Sequence, residues 1–202
     1  MANDKRTSRF NRICVFCGTN AGERPEYGAA ARELGKLLAD QGIELVYGGA
    51  SVGIMGELAD AVHEHGGHVT GIIPQQLIQK EAAHRGISDL IVVASMHQRK
   101  SQMADLSDGF IALPGGIGTL EGFFEILTWG QLGIHAKPCA VLNIAGYFDA
   151  LTAFLDHAVA EGFLTQAHRD TIMVESEPGA LLARMRAYEP PSGAPLMGRA
   201  NR

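Results

Sequence analysis

Short apolar runs alternate with stretches of helical spacing along nearly the whole chain, and no other feature restricts the fold as strongly. RICVFC (12–17), IELVYGG (43–49), HVTGIIP (68–74), LIVVAS (90–95), GFIALP (109–114) and CAVLNI (139–144) read as buried strands. Between them, PEYGAAARELGKLLADQG (25–42) sets Ala30, Leu34, Leu37 and Leu38 at helical spacing and ends at Gly42. IMGELADAVHEHGG (54–67), MHQRKSQMADLS (96–107), TLEGFFEILTWGQLG (119–133) and YFDALTAFLDHAVAEGF (147–163) predict further helices. QQLIQKEAAHRG (75–86) is a polar connector, and TIMVE (171–175) with PGALLARMRAY (178–188) predicts a last strand and helix. Strand and helix in strict alternation imply an α/β fold: a Rossmann-like, doubly wound parallel sheet with helices on both faces. Right-handed crossovers then bring every strand-to-helix loop to one edge of the sheet, where such folds bind ligands.

A chain of 202 residues, 46% hydrophobic, can bury one sizeable core, so one domain over 12–188 is expected. Residues 1–11 are expected to be flexible and the Pro- and Gly-rich 189–202 disordered. The net charge of −5 supplies no general positive field, which argues against nucleic acid or an anionic membrane as partner. MANDKRTSRFNR carries no apolar signal region, and no run approaches the roughly 18 apolar residues that span a bilayer. The cytoplasm is the expected setting. Cys14 and Cys17 form a CxxC, but within a strand rather than at a helix start, and Cys139 stands alone. Buried core thiols, not a redox or zinc site, are therefore expected.

Two glycine-rich loops fall at strand ends, YGGASVGIMGE (47–57, with Gly48, Gly49 and Gly53) and PGGIGTLE (114–121, with Gly115, Gly116 and Gly118). In each, small residues admit a ligand close to the backbone, and exposed amides at the next helix start favour an anion. Neither loop has the GK[ST] of a P-loop or a GxGxxG fingerprint, so ATP and NAD are disfavoured and no cofactor is expected. Between the loops, Arg99 and Lys100 fall in the first turn of a helix, where the dipole disfavours cations; an anionic partner would explain them, Arg99 above all, and the plain alternative is a solvated basic pair on an exposed face. Glu121, Glu125 and Thr128 share one helix face. For Glu121 the simple account is a carboxylate complementing the dipole of a first turn; the other is a carboxylate facing the loop's ligand. HEHGGH (63–68) spans a helix end away from the loop edge and lacks HExxH, so no metal is expected.

MHQRK (96–100), PGGIGTLE (114–121) and TWGQLGIHAKP (128–138) together resemble the LONELY GUY family. The similarity runs from RICVFCG through YGGASVGIMG and GIIP to the YFDALTAFLDHAV helix, nearly the whole chain. The resemblance implies a cytokinin riboside monophosphate phosphoribohydrolase, cleaving an adenosine monophosphate, often N-isopentenylated, into free base and ribose 5-phosphate. It implies no redox cofactor and a homodimer. Carried over residue by residue, the implied ligand contacts are Glu81, Arg99, Lys100, Gly115, Gly116, Gly118, Thr119, Glu121, Gly122 and Thr128, with Arg99 and a glutamate as catalytic pair. The family pattern PGGxGTxxE places that glutamate at position 122, where this chain has Gly122. Either Glu121 or Glu125 substitutes, or the protein binds nucleotide and hydrolyses it weakly. The family's old label, lysine decarboxylase, would need a Schiff-base lysine, and Lys100 is the lysine nearest the loops.

Overall fold

The computed structural model describes residues 10–80 and 82–190. Within them, β1 (Arg12–Phe16), β2 (Glu44–Tyr47), β3 (Val69–Pro74), β4 (Asp89–Val93), β5 (Gly109–Ala112), β6 (Cys139–Leu142) and β7 (Ile172–Glu175) form one sheet. All neighbours pair in parallel, in the order β4-β3-β2-β1-β5-β6-β7. The chain first winds outward from β1 to β4, then returns to the other side of β1 and winds outward again. The order therefore reverses between β1 and β5, whose register sets Ile13 against Gly109 and Phe16 against Ala112. A crevice opens outside the strand ends at such a reversal.

Alternating residues of β1 show how the strands serve two cores. Ile13 and Val15 face the cluster built with α1 (Pro25–Asp40), α2 (Gly53–Glu64) and α7 (Pro178–Arg186). Cys14 and Phe16 face the opposite cluster, with α3 (Met96–Asp105), α4 (Ile117–Gln131) and α5 (Asp149–Ala160). Both strand faces are covered, which is why the runs read as continuously apolar rather than alternating. The same alternation separates the CxxC: Cys14 packs in one cluster and Cys17 in the other, and all three cysteines are free and buried. Among the described residues no group of three His, Cys, Asp or Glu could hold a metal, and no helix is long and apolar enough to cross a membrane.

Several boundaries differ from the sequence reading for local reasons. Helix α4 starts at Ile117, two residues before the expected Thr119, because Gly116 takes the extended N-cap conformation and its carbonyl accepts from the amides of Thr119 and Leu120. A short α6 (Gln166–Asp170) was not anticipated; its cap, Thr165, accepts from the His168 amide at 3.2 Å. The connector opens with a 3-10 turn, Gln75–Leu77. Of the segment expected to be flexible, residues 10 and 11 are anchored: Phe10 packs on the core and the Asn11 amide donates to Asp108 Oδ2 at 2.8 Å. Residues 1–9 and 191–202 of the expected flexible ends lie outside the described residues.

His135 fastens the turn between α4 and β6. Its Nε2 lies 2.8 Å from the Ile126 carbonyl, which can only accept, and its Nδ1 accepts from the Lys137 amide at 3.1 Å. Both ring nitrogens are satisfied only in the neutral Nε2–H form. Burial first, and nearby Lys137 as well, lower its pKa, only partly offset by the bond to Ile126. The unfolded chain thus binds this proton more readily than the folded one, so the contribution is present above the ordinary histidine value, about 6.5, and is lost as pH falls through it. Urea midpoints measured between pH 7.5 and 5.5 are expected to fall with acidification, and His135→Gln, which can still donate to Ile126, is expected to flatten that slope.

Candidate functional site

The crevice at the β1–β5 reversal is a cavity of about 510 Å³. Its floor comes from the end of β1 and the following loop (Phe16 to Gly22), one wall from the loop Pro114–Thr119 and the start of α4, and another from α3. The two loops are tied together: the Gly18 amide donates to the Pro114 carbonyl at 3.1 Å, and the Met55 amide to the Gly18 carbonyl at 3.2 Å. At the start of α4, the carbonyl of Gly116 already serves Thr119 and Leu120, while the amides that precede them in the first turn have no place in the helical ladder. These amides, at the positive end of the helix dipole, make the loop an anion-receiving wall.

The basic pair on α3 is buried, not solvated. Arg99 is 6% exposed; its guanidinium donates to the Gly48 carbonyl at 2.7 Å and rests against that glycine so closely that a β-carbon there would collide with it. Lys100 is 9% exposed, and its Nζ lies 2.5 Å from Glu121 Oε1 and 3.0 Å from Glu125 Oε2. The second contact is a charge contact rather than an aligned hydrogen bond. Burial alone would lower the Lys100 pKa, but its contacts with the Glu121 and Glu125 carboxylates outweigh that and raise it. A Schiff-base amine must give up its proton to attack. Lys100 is held in the opposite state, which disfavours the decarboxylase label.

Because α4 begins at Ile117, Glu121 stands two residues further in than expected, in the second turn, and no acidic residue occupies the first turn. Dipole complementation therefore does not account for it. Its side chain is half exposed, lies on the cavity wall and is fixed by Lys100. Glu125, next along the same face, is not on that wall.

Gly122 also lines the cavity, and its environment explains its size. A β-carbon at 122 would lie 2.8 Å from Cε1 and 2.9 Å from Cδ1 of Phe16, whose ring reaches from the end of β1 to α4. The aromatic ring occupies the space into which a side chain at 122 would grow.

Of the expected site residues, the cavity gathers Gly48, Arg99, Lys100, Gly115, Gly116, Gly118, Thr119, Glu121 and Gly122. Gly49 and Gly53 do not line it: both have positive φ, and Gly53 packs against the backbone of Thr19, so of the three glycines named in the first loop Gly48 alone reaches the site. Thr128 is absent from the wall; it is exposed and its hydroxyl donates back to the Phe124 carbonyl at 2.8 Å. Glu81 lies outside the described residues. The sequence reading missed Phe16, Met55, Met103, Tyr27 and Tyr147, which supply apolar and aromatic walls. They look like ordinary core residues in sequence. Only Tyr147, directly after a glycine at a strand end, carried a positional signal.

A family model described as "possible lysine decarboxylase" matches residues 55–185. A probable cytokinin riboside 5'-monophosphate phosphoribohydrolase of Oryza sativa subsp. japonica, LOGL9, is 50% identical over 183 residues, covering 91% of this chain and 81% of its own. Cytokinin riboside 5'-monophosphate phosphoribohydrolase LOG7 of Arabidopsis thaliana is 48% identical over 187 residues, 93% of this chain and 86% of its own. The chain belongs to the LONELY GUY family. The molybdenum cofactor binding protein from Rippkaea orientalis shares the fold, with a TM-score of 0.67 and 23% identity over 89% of this chain and 98% of that one. At that identity the likeness speaks for the doubly wound architecture alone.

Gly122 in this LONELY GUY member generates a prediction opposite to simple repair of the family pattern. Gly122→Glu is expected to overpack against Phe16, costing about 1–3 kcal/mol of stability, and not to raise activity. In a double-mutant cycle with Phe16→Ala, the two changes should couple favourably, and urea denaturation of the four proteins checks it.

Proposed function

We propose that this chain hydrolyses the N-glycosidic bond of a cytokinin-type nucleoside 5'-monophosphate, releasing the free base and ribose 5-phosphate. Named phosphoribohydrolases match over nine-tenths of its length. The observation that carries the reading is the cavity itself: an anion-receiving helix start, a buried arginine and a fixed carboxylate border one space with apolar walls.

In this reading the loop amides of Gly115, Gly116 and Gly118 take the 5'-phosphate, assisted by Arg99. Binding energy at the phosphate holds the sugar in place for reaction. As the C1'–N bond breaks, its electron pair leaves with the base and positive charge develops on the ribose. The Glu121 carboxylate stabilises that charge and accepts a proton from the water whose oxygen bonds to C1', while the departing base takes up a proton from solvent, to which Glu121 later returns its own. Lys100 keeps Glu121 in position and is too committed to the two carboxylates to serve as a phosphate ligand. Val15, Phe16, Ile54 and Met103 would line the space for the base and an apolar substituent on it. Glu121 thus takes over from the glutamate absent at 122, and the alternative of a merely nucleotide-binding protein is not favoured.

Incubation with AMP and with isopentenyl-AMP, following free base, tests this. Base release from isopentenyl-AMP is expected, with kcat lowered about a hundredfold or more in Glu121→Gln. Tight binding of either nucleotide without any base release would sink the enzymatic reading, and full activity of Glu121→Gln would remove the residue from the mechanism.

The protein works as a homodimer in this reading. On α5 only Leu155 is buried and Phe154 is 62% exposed, while Phe163 just beyond its end is 89% exposed and Ile134 in the turn after α4 66%. Large apolar residues on one layer at such exposure fit an interface better than a solvated surface. Sedimentation is expected to report a dimer that Phe154→Glu with Phe163→Glu converts to monomer. Three unpaired thiols fit a reducing, cytoplasmic setting.

A further inference from the structure

Tyr147 does something that neither the family pattern nor the cavity's charges account for. It follows β6, the neighbour of β5, and is delivered by two consecutive residues with left-handed backbone, Ala145 (φ 51°) and Gly146 (φ 72°). Such a conformation is uncommon for alanine and is held only where the surroundings fix it. They do: the Phe148 amide donates to Asn143 Oδ1 at 2.7 Å, and Asn143 Nδ2 donates to Asp149 Oδ1 at 2.7 Å. The Tyr147 ring stands edge-on to Tyr27 at 5.6 Å and to buried Phe148 at 5.0 Å. So braced, its hydroxyl donates to the Gly115 carbonyl at 2.5 Å.

That carbonyl belongs to the same planar peptide unit as the Gly116 amide, and in a trans peptide the two point in opposite directions. Fixing one fixes the other. A β-carbon at Gly116 or Gly118 would meet nothing within 4 Å, so side-chain packing does not hold this part of the loop. The phenol also engages a carbonyl oxygen that would otherwise offer partial negative charge beside an arriving phosphate. We infer that Tyr147 is a positioning residue of the phosphate loop: by holding the Gly115 carbonyl it aims the Gly116 amide at the 5'-phosphate, and so sets the preference for nucleoside monophosphate over nucleoside. The inference rests on the nucleotide reading given above.

Tyr147→Phe tests it, because it removes one hydroxyl and keeps both ring contacts. Base release is measured from AMP and from adenosine, together with inhibition by ribose 5-phosphate and by adenine. The ratio of kcat/KM for AMP to that for adenosine is expected to fall by about tenfold, the scale of one lost hydrogen bond. Ribose 5-phosphate should inhibit correspondingly less and adenine unchanged, with the effect chiefly in KM. Equal losses for both substrates, or an unchanged ratio, would overturn the role of Tyr147 while leaving the nucleotide reading intact. A wild-type protein that handles adenosine as well as AMP would overturn both.

Discussion

The parallel pairing of β1 with β5 is the constraint on which the rest depends. Each half of the sheet winds outward from this seam, so the loops that follow β1 and β5 must diverge to opposite faces and leave a crevice between them. The bond from the Gly18 amide to the Pro114 carbonyl spans that crevice at its base and holds the two loops at a fixed separation. Around it the cavity forms without further invention: helix starts point in, and strand ends supply the floor. Removing the seam would separate the glycine loop at the start of α4 from the apolar walls.

Burial of two cations beside this seam is the second physical fact that shapes the site. A buried charge is costly unless paired, and a pair of adjacent basic residues would ordinarily stay in water. The two are stabilised differently. Lys100 is neutralised by two carboxylates from one face of α4, which fastens α3 to α4 and leaves Glu121 at the cavity wall. Arg99 reaches across to the carbonyl of Gly48 and also borders the cavity. One cation therefore organises a carboxylate at the cavity wall, whereas its neighbour ties α3 to the first glycine loop at the cavity's edge.

Much of this architecture was legible because both strand faces are buried. Runs such as RICVFC have no polar face to confuse the period, and glycines mark where each crossover turns. The glycine loop and Arg99 were legible as cavity residues for a related reason: clustered glycines, and a cation near a helix start, are costly inside ordinary packed elements. Tertiary packing hid the rest. The start of α4 shifted by two residues because Gly116 can cap in an extended conformation, and that shift removes Glu121 from the first turn. The second glycine loop looked equivalent to the first, but Gly53 is small because the Thr19 backbone lies against it. Tyr147 is distant in sequence from the loop it holds, and no local spacing could announce that contact.

Gly122 shows how the two kinds of information combine. In sequence it is a gap in a pattern, the place where a carboxylate should be. In three dimensions it is the point where the ring of Phe16 closes against α4, with room for hydrogen but not for a β-carbon unless the ring moves. A glycine inside a helix costs about 1 kcal/mol relative to alanine, so a protein under no constraint would not keep it there. The ring contact supplies the constraint. It also means that a carboxylate cannot simply be returned to this position, because ring and side chain compete for one volume. In the hydrolysis proposed above the carboxylate comes instead from a neighbour on the same helix, Glu121, which Lys100 holds at the cavity wall.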